Sequence, residues 1–325
     1  MTTRRSWICL AAAVFATHVS AVQAQTKWDL ATPYPISNPH TLNLQEFATA
    51  VSQATGDKLK IALHPNGSLF KGNEIKRAVQ TNQVQAGEVF MSSLENENPL
   101  YGLDAVPFVA TNFDAARKLW KAQRAAVEQT LARQGMRLLY AVAWPPQGLF
   151  AKKPIATMAD LKGLKMRTNN VATSRIAQGV GAQSVNVQAA ELAQALATGV
   201  VDSFLSSGAT GVDTKVWETL NHFYSVDAWF PKNMVFVNER AFAELEPAVR
   251  EQVLKAAAAA EQKGWERMVA YTQVSLQTLG SNGMKVQKPN AEVVNGLRQV
   301  SEELKTDWAK RAGPEGQAIL GAYAK

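Results

Sequence analysis

Apolar and polar residues alternate from Lys27 to Thr32, the period of a half-buried strand, and the turn-rich stretch from Pro33 to Pro39 ends it. Asn38 followed by Pro39 predicts a capped helix with Leu44, Phe47 and Val51 on one face and Gly56 at its end. Alternation returns at Lys58–Leu63, a helix is expected near Glu74–Asn82, and a strand near Gly87–Met91. Repeated strand and helix units of this kind imply an α/β fold around a mostly parallel sheet. Thr111 with Asp114 reads as a capping box, opening a helix in which Phe113, Ala116, Leu119, Trp120, Val127 and Leu131 keep helical spacing until Gly135. Met136–Ala143 is a strand by composition, and Pro145 with Pro146 breaks it.

A second set of units begins after that break. A helical turn is expected at Thr157–Leu161, strands at Leu164–Arg167, Ser184–Val187 and Val200–Leu205, and helices at Ala172–Gln178 and Gln188–Thr198, the latter stopped by Gly199. Asn221–Asp227 and Asn233–Asn238 read as further strands, Met284–Gln287 as a short one, and Ala291–Lys310 as a final helix. From Pro247 to Leu279 the chain is a run of helix formers without an internal proline, and at about 1.5 Å per residue such a helix reaches across two domains.

The amino terminus changes the picture. Arg4 and Arg5 precede an apolar run from Trp7 to Ala16, and small residues end at Ala24: the order of an export signal, with cleavage expected after Ala24. Cys9 is the sole cysteine and lies in that segment, behind Ile8, where a lipid-anchoring signal wants a small residue. The mature chain therefore offers no disulfide, thiolate nucleophile or thiolate metal site. It is expected to be periplasmic and not membrane-embedded. The net charge of +7 falls by two when Arg4 and Arg5 leave, and the remaining excess is scattered without basic runs, which suits a small anion and argues against nucleic acid. No G-x-S-x-G elbow, H-E-x-x-H pair or phosphate loop is present, and His40, His64 and His222 have no metal-ligand spacing, so no enzyme, cofactor or metal site is expected.

Four segments carry a resemblance: Pro65-Asn66-Gly67-Ser68-Leu69 with Gly72 and Glu74; Met158 through Arg167, MADLKGLKMR; Glu191, Ala195-Leu196 and Thr198-Gly199-Val200-Val201-Asp202; and Val235-Phe236-Val237-Asn238. The chain resembles the extracytoplasmic solute receptors of TRAP transporters, the DctP family. The resemblance implies a type II periplasmic binding protein fold, with two α/β lobes, a ligand cleft and a long helix spanning both. It places residues 25–143 with 233–272 in one lobe and 144–232 with 273–325 in the other. It also implies a monomer that hands a small carboxylate to an ion-driven membrane permease. A receptor feeding a sensor shares the fold, and an exported hydrolase using scattered carboxylates is the enzymatic alternative.

Arg167 ends a short strand, where side chains point into the crevice of an α/β sheet, and its guanidinium offers a rigid fork matched to a carboxylate. The resemblance makes it the family's carboxylate anchor, with Asn169 beside it. Ser206 and Ser207 stand where relatives often carry an asparagine, and either donate to the ligand or cap the next helix. No second arginine follows the crossover, which argues against a dicarboxylate or a large sugar acid. Trp144, Phe150, Trp229 and Phe230 are the aromatic candidates for pocket wall or core. Asn233, His40, Glu74 and Ser92 complete the set, each with a capping or turn-fixing role as the alternative. The expected ligand is a hydroxy, keto or aromatic monocarboxylate.

Overall fold

A computed structural model describes residues 25–325, so the expected export segment lies outside the described residues. The chain runs β1 (Thr26–Ala31), α1 (Pro39–Ala54), β2 (Leu59–His64), α2 (Gly72–Gln80), β3 (Ala86–Phe90), α3 (Phe113–Ala132), β4 (Met136–Ala143) and β5 (Gln147–Ala151). It continues through β6 (Lys165–Thr168), α4 (Val171–Gly179), β7 (Gln183–Asn186), α5 (Leu192–Ala197), β8 (Ser203–Ser207), α6 (Gly208–Asp213) and β9 (His222–Tyr224). β10 (Lys232–Asn238), α7 (Glu239–Ala243), α8 (Pro247–Ser281), β11 (Lys285–Gln287) and α9 (Ala291–Ala324) complete it.

Two sheets form, in the orders β2-β1-β3-β10-β4 and β11-β9-β5-β8-β6-β7. Each holds one antiparallel strand, β10 in the first and β5 in the second. The sheets are therefore mostly parallel, as expected, each with one strand reversed. β5 and β10 each follow a segment that crosses from the other sheet, so they enter at the interface while the strands beside them end there. Trp144 N–H donates to Pro231 O at 2.8 Å and Gln147 N–H to Trp229 O at 3.2 Å, which ties the two crossings together.

Several local signals act as the sequence implies. Asn38 Oδ1 accepts from His40 N–H at 2.8 Å and Pro39 starts α1, burying Leu44, Phe47 and Val51. α3 is capped by Asn112 rather than Thr111, its side chain accepting from Ala115 N–H at 2.8 Å. β5 lies where the two prolines suggested only a break. The final helix runs well past Lys310, bending where Gly313 takes φ 58° ahead of Pro314.

α8, 35 residues and roughly 50 Å long at about 1.5 Å per residue, packs on α1 and β4 of the first sheet and on α6 and β11 of the second. α9 also touches both halves. Val293, Leu297 and Leu304 pack in a core of the second sheet, whereas Trp308 and Ile319 join the core of the first. Trp308 Nε1 donates to Pro99 O at 2.6 Å and Tyr323 Oη to Val109 O at 2.8 Å. The carboxy-terminal turns thus pack with the first sheet, not with the second as expected. No helix among the described residues is long and apolar enough to cross a membrane.

Candidate functional site

The carboxyl ends of β1, β3 and β4 face those of β6 and β8 across the interface between the sheets, the position at which α/β folds hold ligands. A cavity of about 160 Å³ sits there. Its lining includes Tyr34, Asn66 and Phe90 from the first half, Trp144 and Gln147 from the crossing, and Arg167, Asn169, Ser206, Thr210 and Asp213 from the second. A larger groove of about 650 Å³ runs along the outer face between α3 and α8, but Arg124 and Arg137 within it are already paired with Glu128, Glu261 and Glu239. Arg117 in that groove is exposed and lies over the Trp265 ring, whereas the interface cavity holds a buried charge without an ion-pair partner.

That charge is Arg167. The guanidinium is 3 % exposed, and its Nε donates to Val187 O at 2.9 Å, which fixes the plane of the fork. No carboxylate among the described residues lies within ion-pair distance of it. Burial lowers its pKa to about 10, leaving it charged at neutral pH. Asp213 also lines the cavity; burial pushes its carboxyl up to about 7, against the pull of a hydrogen bond from Asn38 Nδ2 at 2.5 Å. No second arginine or lysine lines the cavity.

The other expected residues divide by position. Asn169, Ser206 and Trp144 reach the lining, with Ser206 Oγ donating to Thr210 Oγ1 at 2.8 Å. Asn233 and His40 stand one layer behind. Trp144 Nε1 donates to Asn233 Oδ1 at 2.8 Å, Tyr34 Oη approaches the same oxygen at 3.3 Å, and the His40 ring lies 4.2 Å from that of Trp144. Ser92 Oγ accepts from Asn170 Nδ2 at 2.9 Å, a bond between the halves rather than a cavity contact.

The remaining candidates lie elsewhere. Phe150, expected as pocket wall, is fully buried with its ring stacked 4.4 Å from Phe204. Trp229 packs in a core of the second sheet and Phe230 in that of the first, edge-on to Phe113 at 4.8 Å. Inward alternation along β5 and the crossing sets these three toward cores. Glu74 is exposed and caps α2, accepting from Lys71 N–H at 3.0 Å. Ser207 is buried with no hydrogen-bond partner for its hydroxyl and makes no helix-cap bond. Tyr34, Asp213, Thr210 and Phe90 were missed. Tyr34 sits between two prolines and Asp213 at the end of a six-residue helix, so neither carried a periodic signal.

The halves are drawn together. Asn38–Asp213 and Ser92–Asn170 bridge them with buried or half-buried hydrogen bonds, and Lys71 Nζ pairs with Glu191 at 3.0 Å on the surface.

Residues 31–311 match the family model described as DctP: bacterial extracellular solute-binding protein, family 7. The fold superposes on DctP6, a Bordetella pertussis extracytoplasmic solute receptor binding pyroglutamic acid, at 51% identity and TM-score 0.91, covering 92% of this chain and 99% of that one. A marine metagenome TRAP solute-binding protein specific for pyroglutamate gives 42% identity and TM-score 0.91, with 93% and 99% covered. The monocarboxylate 2-oxoacid-binding periplasmic protein of a Nostoc species is 25% identical, with 89% and 81% covered. The chain belongs to the DctP family, the solute receptors of TRAP transporters.

Proposed function

We propose that the protein is a periplasmic receptor for a small cyclic monocarboxylate of the pyroglutamate type, which it carries to a TRAP permease. The observation that carries this reading is the buried, unmatched guanidinium of Arg167 in an interface cavity of about 160 Å³. An Arg fork in a desolvated site is matched by one carboxylate through two charge-assisted hydrogen bonds. Asp213 is the acidic group in the lining, and it complements a ligand that also donates an N–H. Trp144, Tyr34 and Phe90 supply flat apolar surface for a ring, and Asn169, Ser206 or Gln147 can meet a ring carbonyl.

The same lining disfavours a diacid. A second carboxylate finds no second cation there and sits in a small space with Asp213, and an unmatched buried charge costs several kcal/mol. Two relatives at 42% identity or more are described as binding pyroglutamate, a monocarboxylate that bears both a ring N–H and a keto-like oxygen.

The test is a thermal-shift screen of organic acids on protein recovered from the periplasmic fraction with Gln25 as its first residue. A ligand at about 100 times its dissociation constant stabilises the fold by about 2.7 kcal/mol. Pyroglutamate is expected to raise the midpoint, and succinate and galactonate to leave it in place. The opposite pattern refutes the reading, and protein that retains residues 1–24 refutes the export.

A further inference from the structure

Behind the cavity wall lies a buried polar layer that does not line the cavity itself. Glu88, on β3, is 1 % exposed. Its Oε2 accepts from Thr32 Oγ1 at 2.6 Å, and its Oε1 lies 3.5 Å from His40 Nδ1. The next neighbour is Asn233, on the adjacent strand β10, where Val235 opposes Glu88 and Asn233 opposes Phe90. An indole N–H can only donate, so the Asn233 atom facing Trp144 is the oxygen, which Tyr34 Oη also approaches. The Asn233 amide nitrogen is thereby turned inward, where it is buried and makes no hydrogen bond. Contacts run from Glu88 to two walls of the cavity: through the His40 ring, 4.2 Å from that of Trp144, and through Thr32, whose Oγ1 also accepts from Tyr34 N–H at 3.5 Å.

We propose that Glu88 is a positioning residue of the binding site: it orients His40 and Thr32 and so the two aromatic walls, and it takes up a proton as the ligand anion enters. The proposal rests on the reading of the cavity as an anion site. Burial pushes the Glu88 carboxyl up to about 7, against the pull of the Thr32 hydrogen bond. The groups around it do not supply a compensating charge. His40, on α1, is held neutral by burial, its pKa down to about 3. Tyr34, after β1, and Tyr140, on β4, are both pushed further toward their neutral forms by the Glu88 charge. No lysine or arginine among the described residues is within ion-pair distance of Glu88.

The nearest lining cation is Arg167, whose field reaches Tyr34 in the same layer. A bound carboxylate neutralises that field. An ionised Glu88 then faces an added negative charge through a thin, low-dielectric wall, where Coulomb interactions are strongest. Anion binding therefore raises the Glu88 pKa further, and by linkage the ionised form weakens binding at alkaline pH. A glutamine keeps an oxygen to accept from Thr32 but holds no charge, whereas leucine removes both.

The experiment is calorimetry with pyroglutamate on wild type and Glu88→Gln from pH 5.5 to 8.5, with Glu88→Leu alongside. The ratio of the wild-type dissociation constant to that of Glu88→Gln is expected to rise at least threefold across this range, because only wild type gains the charge. Glu88→Leu is expected to bind at least tenfold more weakly than Glu88→Gln at each pH. A constant ratio, with binding intact, overturns the proposal, since a merely structural Glu88 has no reason to shift the pH profile. Should wild type not bind pyroglutamate at all, the ligand reading fails, and the ligand-free protein still decides this one. The ¹⁵N indole resonance of Trp144, assigned with Trp144→Phe, is expected to move through a step near pH 7 that Glu88→Gln abolishes. A flat profile in wild type overturns the proposal whatever the ligand.

Discussion

In the proposed site Arg167 and Asp213 divide the work at the scale of single residues, one offering a fixed positive fork and the other a titrating acceptor. Arg167 was legible because its neighbours in sequence carry a family pattern and its strand ends where a side chain must face the interface. Asp213 was not, because nothing in a short helix after Gly208 distinguishes an acid that faces a cavity from one that faces water. Its carboxyl sits near 7 through burial, so it loses its charge as the pH falls below that value. A ring N–H is held more strongly by the ionised form, through a charge-assisted hydrogen bond. Affinity for pyroglutamate is therefore expected to fall on acidification from pH 8 to pH 6, by up to about tenfold per unit below the midpoint. Asp213→Asn is expected to weaken binding at pH 8 and to abolish that fall, leaving only the opposite, smaller trend assigned to Glu88. An unchanged acid limb in the variant, measured by titration calorimetry, contradicts the assignment.

Elements with a local cause were readable, and those defined by long-range pairing were not. Asn38-Pro39 specifies the start of α1 wherever the chain goes, and the Pro-free run of helix formers specifies α8. β5 has only five residues directly after two prolines, and its strand character comes from pairing with β8 and β9. The aromatic candidates failed for a related reason, since whether Phe150 or Trp229 meets a cavity or a core depends on register rather than on composition. β10 shows a further feature that no pattern announced. Lys232 at its start is fully buried, with Nζ 3.1 Å from Asp104 Oδ2, and Asp104 also accepts from the Lys232 backbone N–H at 2.7 Å. Burial lowers the Lys232 pKa and raises that of Asp104, so each ion depends on the other. Removing one partner of a buried pair typically costs about 3–5 kcal/mol. Lys232→Met is therefore expected to lose about that much in urea unfolding, and Asp104→Asn with Lys232→Met to recover part of it. A single variant as stable as wild type means the pair contributes nothing to holding the crossing.

The whole molecule is two mixed sheets joined at a pair of hydrogen-bonded crossings and braced by α8 and α9, both of which touch both halves. This leaves the cavity at the interface, where residues from both halves line it. The contacts Asn38–Asp213, Ser92–Asn170 and Lys71–Glu191 join the halves, and the first of them ends on a residue that lines the cavity. The central claim is the proposal that this cavity takes one carboxylate on Arg167. Titration of pyroglutamate into wild type, Arg167→Ala and Arg167→Lys by calorimetry tests it most directly. Truncating one partner of a buried hydrogen-bonded charge pair costs about 2–5 kcal/mol. The account predicts a single site in wild type, a loss of at least tenfold in a folded Arg167→Ala, and partial recovery in Arg167→Lys, whose ammonium cannot reproduce the fork. Unchanged affinity in folded Arg167→Ala would contradict it.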